Sequence, residues 1–157
     1  MRSDREELVR RVLLDNYESY YRLAFSYVHQ EADAMDIVQE GAYRAMLKAD
    51  TLREESFAET WVYRIMINEA KEFLRKNRRE YETPDENLPA AEQYRDPDLR
   101  EALHGLPEAE RTLIILRYFE DRQLSEIAEI LQENVNTVKS RLYRTLAKLR
   151  ERLSVSA

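Results

Sequence analysis

Asp33, Asp36 and Glu40 recur at i, i+3 and i+7 in EADAMDIVQE, a spacing that sets three carboxylates on one helix face. Such a stripe can hold a metal in a helical bundle, dock a basic partner, or simply be solvated. The metal reading wants a Glu-x-x-His partner on a facing helix, and the one such run, Glu101 to His104, lies more than 60 residues further along the chain. His29 and His104 stand far apart and outside any HExxH-like run. With no Cys there is no thiol nucleophile, no Cys-bound zinc and no disulfide. An enzyme built on these carboxylates would also lack a phosphate-cradling loop. No catalytic residue, metal or cofactor is therefore expected. Docking and solvation stay open.

Two other clusters suit nucleic acid. In TWVYRIMINEAKEFLRKNRR, helical spacing puts Tyr63, Met66, Ile67, Ala70, Phe73 and Leu74 on a core face. Trp61, Ile65 and Asn68 lie on another face, with Arg64 at its margin, and Lys71, Arg75, Lys76, Arg78 and Arg79 follow. Aromatics interleaved with cations suit single strands, because every base offers a face to stack on. Trp61 taken alone reads more readily as core. The second cluster is NVNTVKSRLYRTLAKLRER. At 100° per residue Val138, Leu142, Leu146, Leu149 and Leu153 form one buried stripe. Ser140 and Arg144 point the opposite way beside Thr137 and Tyr143, with Lys139 and Arg141 on the flanks. A basic helix is as often a mere solvated face. The short apolar helix before it, with Leu124, Ile127, Ala128 and Leu131, tips the reading to a helix-turn-helix in the major groove. Asn134 or Asn136 could cap the reading helix, and Ser125 the short one.

The elements that must carry these clusters are helical. Two Gly and four Pro leave few turns, which argues for a mostly helical chain. Helices are expected over residues 8–26, 32–49, 57–79, 107–119, 125–131 and 135–153, with a loop at 51–56. Net charge is −6, but its distribution matters more than its sum. Residues 68–79 carry net +3 and residues 134–152 net +5, while residues 80–101 carry net −6. Pro84, Pro89 and Pro97 fall in the acidic stretch, a linker composition. The expected architecture is all-α: a helical unit over 1–79, an acidic flexible linker over 80–98, and a second unit over 99–157. The start MRSDREELVRR has no apolar core, so no signal peptide is expected, and no run is long enough for direct membrane insertion. Localisation is expected to be cytoplasmic.

The chain resembles an extracytoplasmic-function, or group 4, sigma factor, the promoter-recognition subunit of bacterial RNA polymerase. YYRLAFSYVHQEADAMDIVQEGAYRAM is similar to regions 2.1–2.2 of that family, FAETWVYRIMINEAKEFLRKNRR to regions 2.3–2.4, and LPEAERTLIILRYFEDRQLSEIAEILQENVNTVKSRLYRTLAKLRE to region 4. TVKSRLYR alone occurs in other regulators. DIVQE, TWVYRI…N…LR and TVKSRL in that order are far more specific.

The resemblance implies roles. Asp36, Ile37, Val38, Gln39 and Glu40 would bind the clamp helices of the largest core subunit. The loop at 51–57, with Leu52, Arg53, Ser56 and Phe57, would accept a base flipped from the −10 element. Trp61, Arg64, Asn68, Lys71 and Arg75 would complete that contact. Asn136, Thr137, Lys139, Ser140, Arg141, Tyr143 and Arg144 would read the −35 duplex, and residues 113–119 would meet the polymerase flap. The acidic segment 80–101 would mimic nucleic acid in a basic channel. An anti-sigma factor, membrane-anchored in many members, would be a further partner. Three departures stand out. Gln132 and Glu133 occupy a turn where the family usually has Gly and an apolar residue, and if a left-handed residue is needed Asn134 costs least. Asn136 stands where Gly is common, and Lys71-Glu72 replaces an apolar-Asp pair. The competing reading is a stand-alone helix-turn-helix regulator, which needs only residues 100–157.

Overall fold

The computed structural model describes residues 3–77 and 97–156, and among these there is no strand. The chain divides into two compact units, Met1–Glu86 and Asn87–Ala157. The expected linker lies outside the described residues as far as residue 96, as do Arg78 and Arg79. No described helix is long and apolar enough to cross a membrane.

The first unit packs α1 (Asp4–Asp15), α2 (Tyr17–Val28), α3 (Glu31–Leu47) and α4 (Ala58–Lys76). The single helix expected over 8–26 is two helices. Asn16 is the break: its side-chain amide donates to the Val12 carbonyl at 2.9 Å, competing with the backbone ladder. α2 ends at His29 in the left-handed region, φ 56°. The core is built on Tyr20, Leu23, Ile37, Val62, Tyr63 and Met66, all nearly inaccessible. Tyr20 and Tyr63 meet edge-to-face with centroids 4.9 Å apart. Gly41 lets α3 and α4 approach closely, since a Cβ there would overlap the Met66 thioether. Arg44 on α3 ties the pair together by bonding Glu69 on α4 and Glu40 on its own helix. The stretch 51–56, expected as open loop, is bounded by two 3₁₀ turns, Ala49–Thr51 and Glu55–Phe57.

The second unit contains α5 (Pro97–His104), α6 (Glu108–Ile114), α7 (Leu124–Leu131) and α8 (Val135–Ser156). α5 was not expected, because its Pro and acidic residues read as linker. It nonetheless buries Ala102 and Leu103, and Pro97 at its first position lacks only a redundant N–H. Pro107 caps α6 rather than opening it. The helix expected to run to residue 119 changes to a π turn over Ile115–Phe119, where Glu120 N–H donates to the Ile115 carbonyl at 2.9 Å. α8 is fixed through its C-terminal half: Lys148 reaches Glu110 of α6 at 2.8 Å, and Arg152 crosses Gly105 to the Ala102 carbonyl at 3.2 Å.

Candidate polymerase and promoter surfaces

The DIVQE segment splits by burial. Asp36, Gln39 and Glu40 are exposed on α3, whereas Ile37 and Val38 are each 2% exposed and pack inward. A partner can touch only the first three; the two apolar residues hold the helix that displays them. Ile37→Ala should therefore lower the melting temperature by roughly ten degrees or more, from a core truncation of about 2–5 kcal/mol. Circular dichroism checks this. The exposed face extends beyond Glu40: Tyr43 and Leu47 sit 61% and 67% exposed on the Asp36 side of α3. The helical angle alone could have found them, since both lie within about 20° of Asp36. Asp33 is half-buried, so the three-carboxylate stripe is not evenly displayed. Among the described residues no group of His, Cys, Asp or Glu could hold a metal ion.

The loop and α4 form a second surface. Leu52 is 5% exposed and anchors the loop in the core, while Arg53, Ser56 and Phe57 face solvent, Phe57 by 47%. Leu52 is thus a support and not a contact. Trp61 and Arg64 are half-buried, and Asn68, Lys71 and Arg75 are exposed along the following turns. The expected core face of α4 is occupied by Tyr63, Met66, Ile67 and Ala70, with Phe73 and Leu74 half-buried. Arg75 is engaged by Glu72 through two bonds, Nε to Oε2 at 3.0 Å and Nη2 to Oε1. That hydrogen bond, helped by charge, holds the Glu72 carboxyl below its usual range and raises the Arg75 guanidinium. The pair is exposed, so a phosphate can compete for Arg75.

The helix-turn-helix departs from the expected turn in a specific way. Gln132, not Asn134, takes the left-handed conformation, φ 55°, ψ 45°. Gln132 N–H donates to the Glu129 carbonyl at 3.3 Å and Glu133 N–H to the Ala128 carbonyl at 3.0 Å, the two bonds of a Schellman motif. This closure compensates a non-glycine left-handed residue. Asn134 is instead the cap of α8, its Oδ1 accepting from Asn136 N–H at 2.8 Å. Gln123, not Ser125, begins α7, with its N–H donated to Glu126 Oε1 at 3.3 Å. The motif's apolar position is filled by Glu133, whose Oε2 lies 2.7 Å from Arg141 Nη1. Arg141 was expected to reach phosphates or bases; here its side chain is 21% exposed and turned to Glu133.

The two faces of α8 separate as the spacing predicts. Val138, Leu142 and Leu149 are buried, Leu146 and Leu153 half-buried. Asn136, Thr137, Lys139, Ser140, Tyr143 and Arg144 are exposed. Thr145 joins the buried stripe and satisfies its hydroxyl on the Arg141 carbonyl at 2.7 Å, which a hydrophobicity pattern cannot register. In the segment expected at the flap, Leu113, Ile114, Ile115 and Leu116 are core. Only Tyr118 is strongly displayed, 53% exposed with the Arg117 guanidinium 5.6 Å from its ring centre.

An all-helical unit with an aromatic-basic helix, followed by a separate helix-turn-helix unit, defines a protein of transcription initiation. Residues 12–80 match Sigma-70 region 2 and residues 97–149 match Sigma-70 region 4. The chain is 44% identical over 147 residues to RNA polymerase sigma factor SigV of Bacillus subtilis, covering 90% of this chain and 89% of that one. It is 34% identical over 132 residues to the ECF RNA polymerase sigma-E factor of Haemophilus influenzae, covering 71% and 70%. The sigma factor RpoE from Bartonella quintana, solved in complex with the anti-sigma factor NepR, superposes with TM-score 0.78 at 26% identity, covering 94% of this chain and 98% of that one. The chain belongs to the extracytoplasmic-function group of RNA polymerase sigma factors, subunits that direct promoter-specific initiation and are not enzymes. A stand-alone regulator would leave residues 12–80 without a role, and their match to region 2 removes that reading.

Proposed function

We propose that the two units divide promoter recognition between duplex and melted DNA. Residues 99–157 dock α8 in the major groove of the −35 element, with Asn136, Thr137, Lys139, Ser140, Tyr143 and Arg144 at the DNA. Residues 1–79 bind core polymerase through Asp36, Gln39, Glu40, Tyr43 and Leu47. The same unit holds the unpaired −10 strand against Arg53, Ser56, Phe57, Trp61, Arg64, Asn68, Lys71 and Arg75. The observation that carries this reading is the separation of faces on α8, core on one side and polar-basic on the other. The acidic stretch 80–96 joins the units and lies in a basic polymerase channel, while residues 97–101 belong to α5 of the second unit. The protein acts in the cytoplasm. An anti-sigma factor holds it inactive, as supported by the Bartonella relative solved with one.

Run-off transcription with purified core polymerase on a randomised promoter library tests the assignment. Active templates should share two elements, one duplex and upstream, one melted. Enrichment of a single melted element would overturn the role of α8. Arg141 gives a finer prediction. Glu133→Gln should release its guanidinium to a phosphate, tightening non-specific duplex binding. The slope of log K against log salt should then steepen by about 0.9. Fluorescence anisotropy across a salt series reads it.

A further inference from the structure

Among the described residues the base-accepting loop is the least regular part of the first unit, and a base pocket must be held in place before the base arrives. Within the loop only Leu52 is sunk in the core; its 3₁₀ turns are short, and three of its outward residues, Arg53, Glu54 and Glu55, are charged. Support comes from the far end of the sequence. Arg5 on α1 donates through Nη2 to the Arg53 carbonyl at 3.0 Å and faces Glu55 Oε1 through Nη1 at 3.4 Å. Ser3, two residues earlier, donates its hydroxyl to Asp50 Oδ1 at 2.8 Å while accepting from Glu6 N–H as the helix cap. The two residues thus grip the loop at Asp50, Arg53 and Glu55, on either side of Leu52.

We propose that Arg5 is a positioning residue for promoter melting, holding the Arg53–Glu55 backbone in the shape that receives the flipped base. This rests on the reading that the loop accepts that base. A guanidinium suits the task because its planar fork serves a carbonyl and a carboxylate together, whereas an ammonium is a single point charge. It also neutralises Glu55, one of two adjacent carboxylates that would otherwise repel the DNA backbone. The Arg5 side chain is only 29% exposed, so its order is set by the protein and not by solvent. α1 is in turn held by Val9 and Val12, which are buried, so the brace has a rigid base.

The experiment uses holoenzyme and a fluorescent non-template-strand oligonucleotide carrying the −10 sequence recovered from the run-off library. The oligonucleotide is tested intact and with single abasic positions. Wild type should lose roughly tenfold or more in affinity when the captured base is removed. Arg5→Ala should bind the intact strand as weakly as wild type binds the abasic one, and respond to base removal by less than about twofold. Such non-additivity marks a shared interaction, which general destabilisation does not produce. Unchanged affinity for core polymerase shows that the variant unit is folded. Full wild-type sensitivity to base removal in Arg5→Ala would overturn the proposal while leaving the loop reading intact. Wild type indifferent to every abasic position would overturn the loop reading and the proposal with it.

Discussion

Core RNA polymerase should bind the Asp36→Arg, Gln39→Ala variant at least about a hundredfold more weakly than wild type, with the melting temperature unchanged within a degree or two. Asp36 is exposed on α3 and has no ion-pair partner among the described residues, whereas Glu40 beside it is engaged by Arg44 at 3.3 Å. Asp36 is therefore the carboxylate whose full charge is offered to a partner. Removing it forfeits an attraction; replacing it with Arg sets like charge against a basic surface, which costs several kcal/mol. At about 1.4 kcal/mol per decade, a loss near 3 kcal/mol is the hundredfold. Gln39→Ala removes a neighbouring polar contact without changing the helix. Tyr43→Ala should add a further loss of about tenfold, since an exposed aromatic beside a charged face is a typical anchor. Surface plasmon resonance against core enzyme measures both, and binding of an isolated −35 duplex should be unaffected. Wild-type affinity in the double variant would remove α3 from the polymerase interface.

The sequence made the large features legible and hid those that depend on geometry. The buried stripe of α8 follows from spacing, because Val138, Leu142 and Leu149 can share a face in only one helix phase. The core side of α4 follows in the same way. The break at Asn16 did not, since one Asn within a run of helical apolar spacing marks a break only when its amide finds the Val12 carbonyl. α5 was hidden by composition, its Pro and acids outweighing the short Leu99, Ala102, Leu103 pattern. At the candidate site, a motif string carried no burial: Ile37 and Val38 were read with Asp36 although they point into the core. Arg141 was read as a DNA contact because its own helix gives no sign of Glu133 on the preceding turn. Arg5 was invisible for a plainer reason. Its partners lie 48 and 50 residues away, and no local pattern links an N-terminal helix to a distant loop.

Trp61 separates the two physical readings of α4. Holoenzyme carrying Trp61→Ala should form open complexes on a duplex promoter roughly tenfold less well than wild type, yet initiate almost normally from saturating template already unpaired across the −10 element. Unpairing and extruding a base cost a few kcal/mol, and stacking on an aromatic ring returns about 1–3 kcal/mol. On duplex DNA that return decides whether melting is favourable. On unpaired DNA the cost is absent, so the remaining contacts from Asn68, Lys71 and the loop suffice once the template saturates. Trp61 is half-buried, with part of the indole packed and part available to a base. A purely packing role predicts something different: Trp61→Ala would lower the melting temperature and impair both templates equally. Trp61→Phe discriminates further, because it keeps an aromatic face while shedding indole volume. Recovery of duplex melting by Trp61→Phe assigns the function to the ring face. Equal defects on both templates, tracking stability, would return Trp61 to the core and leave base capture to Phe57 and the loop.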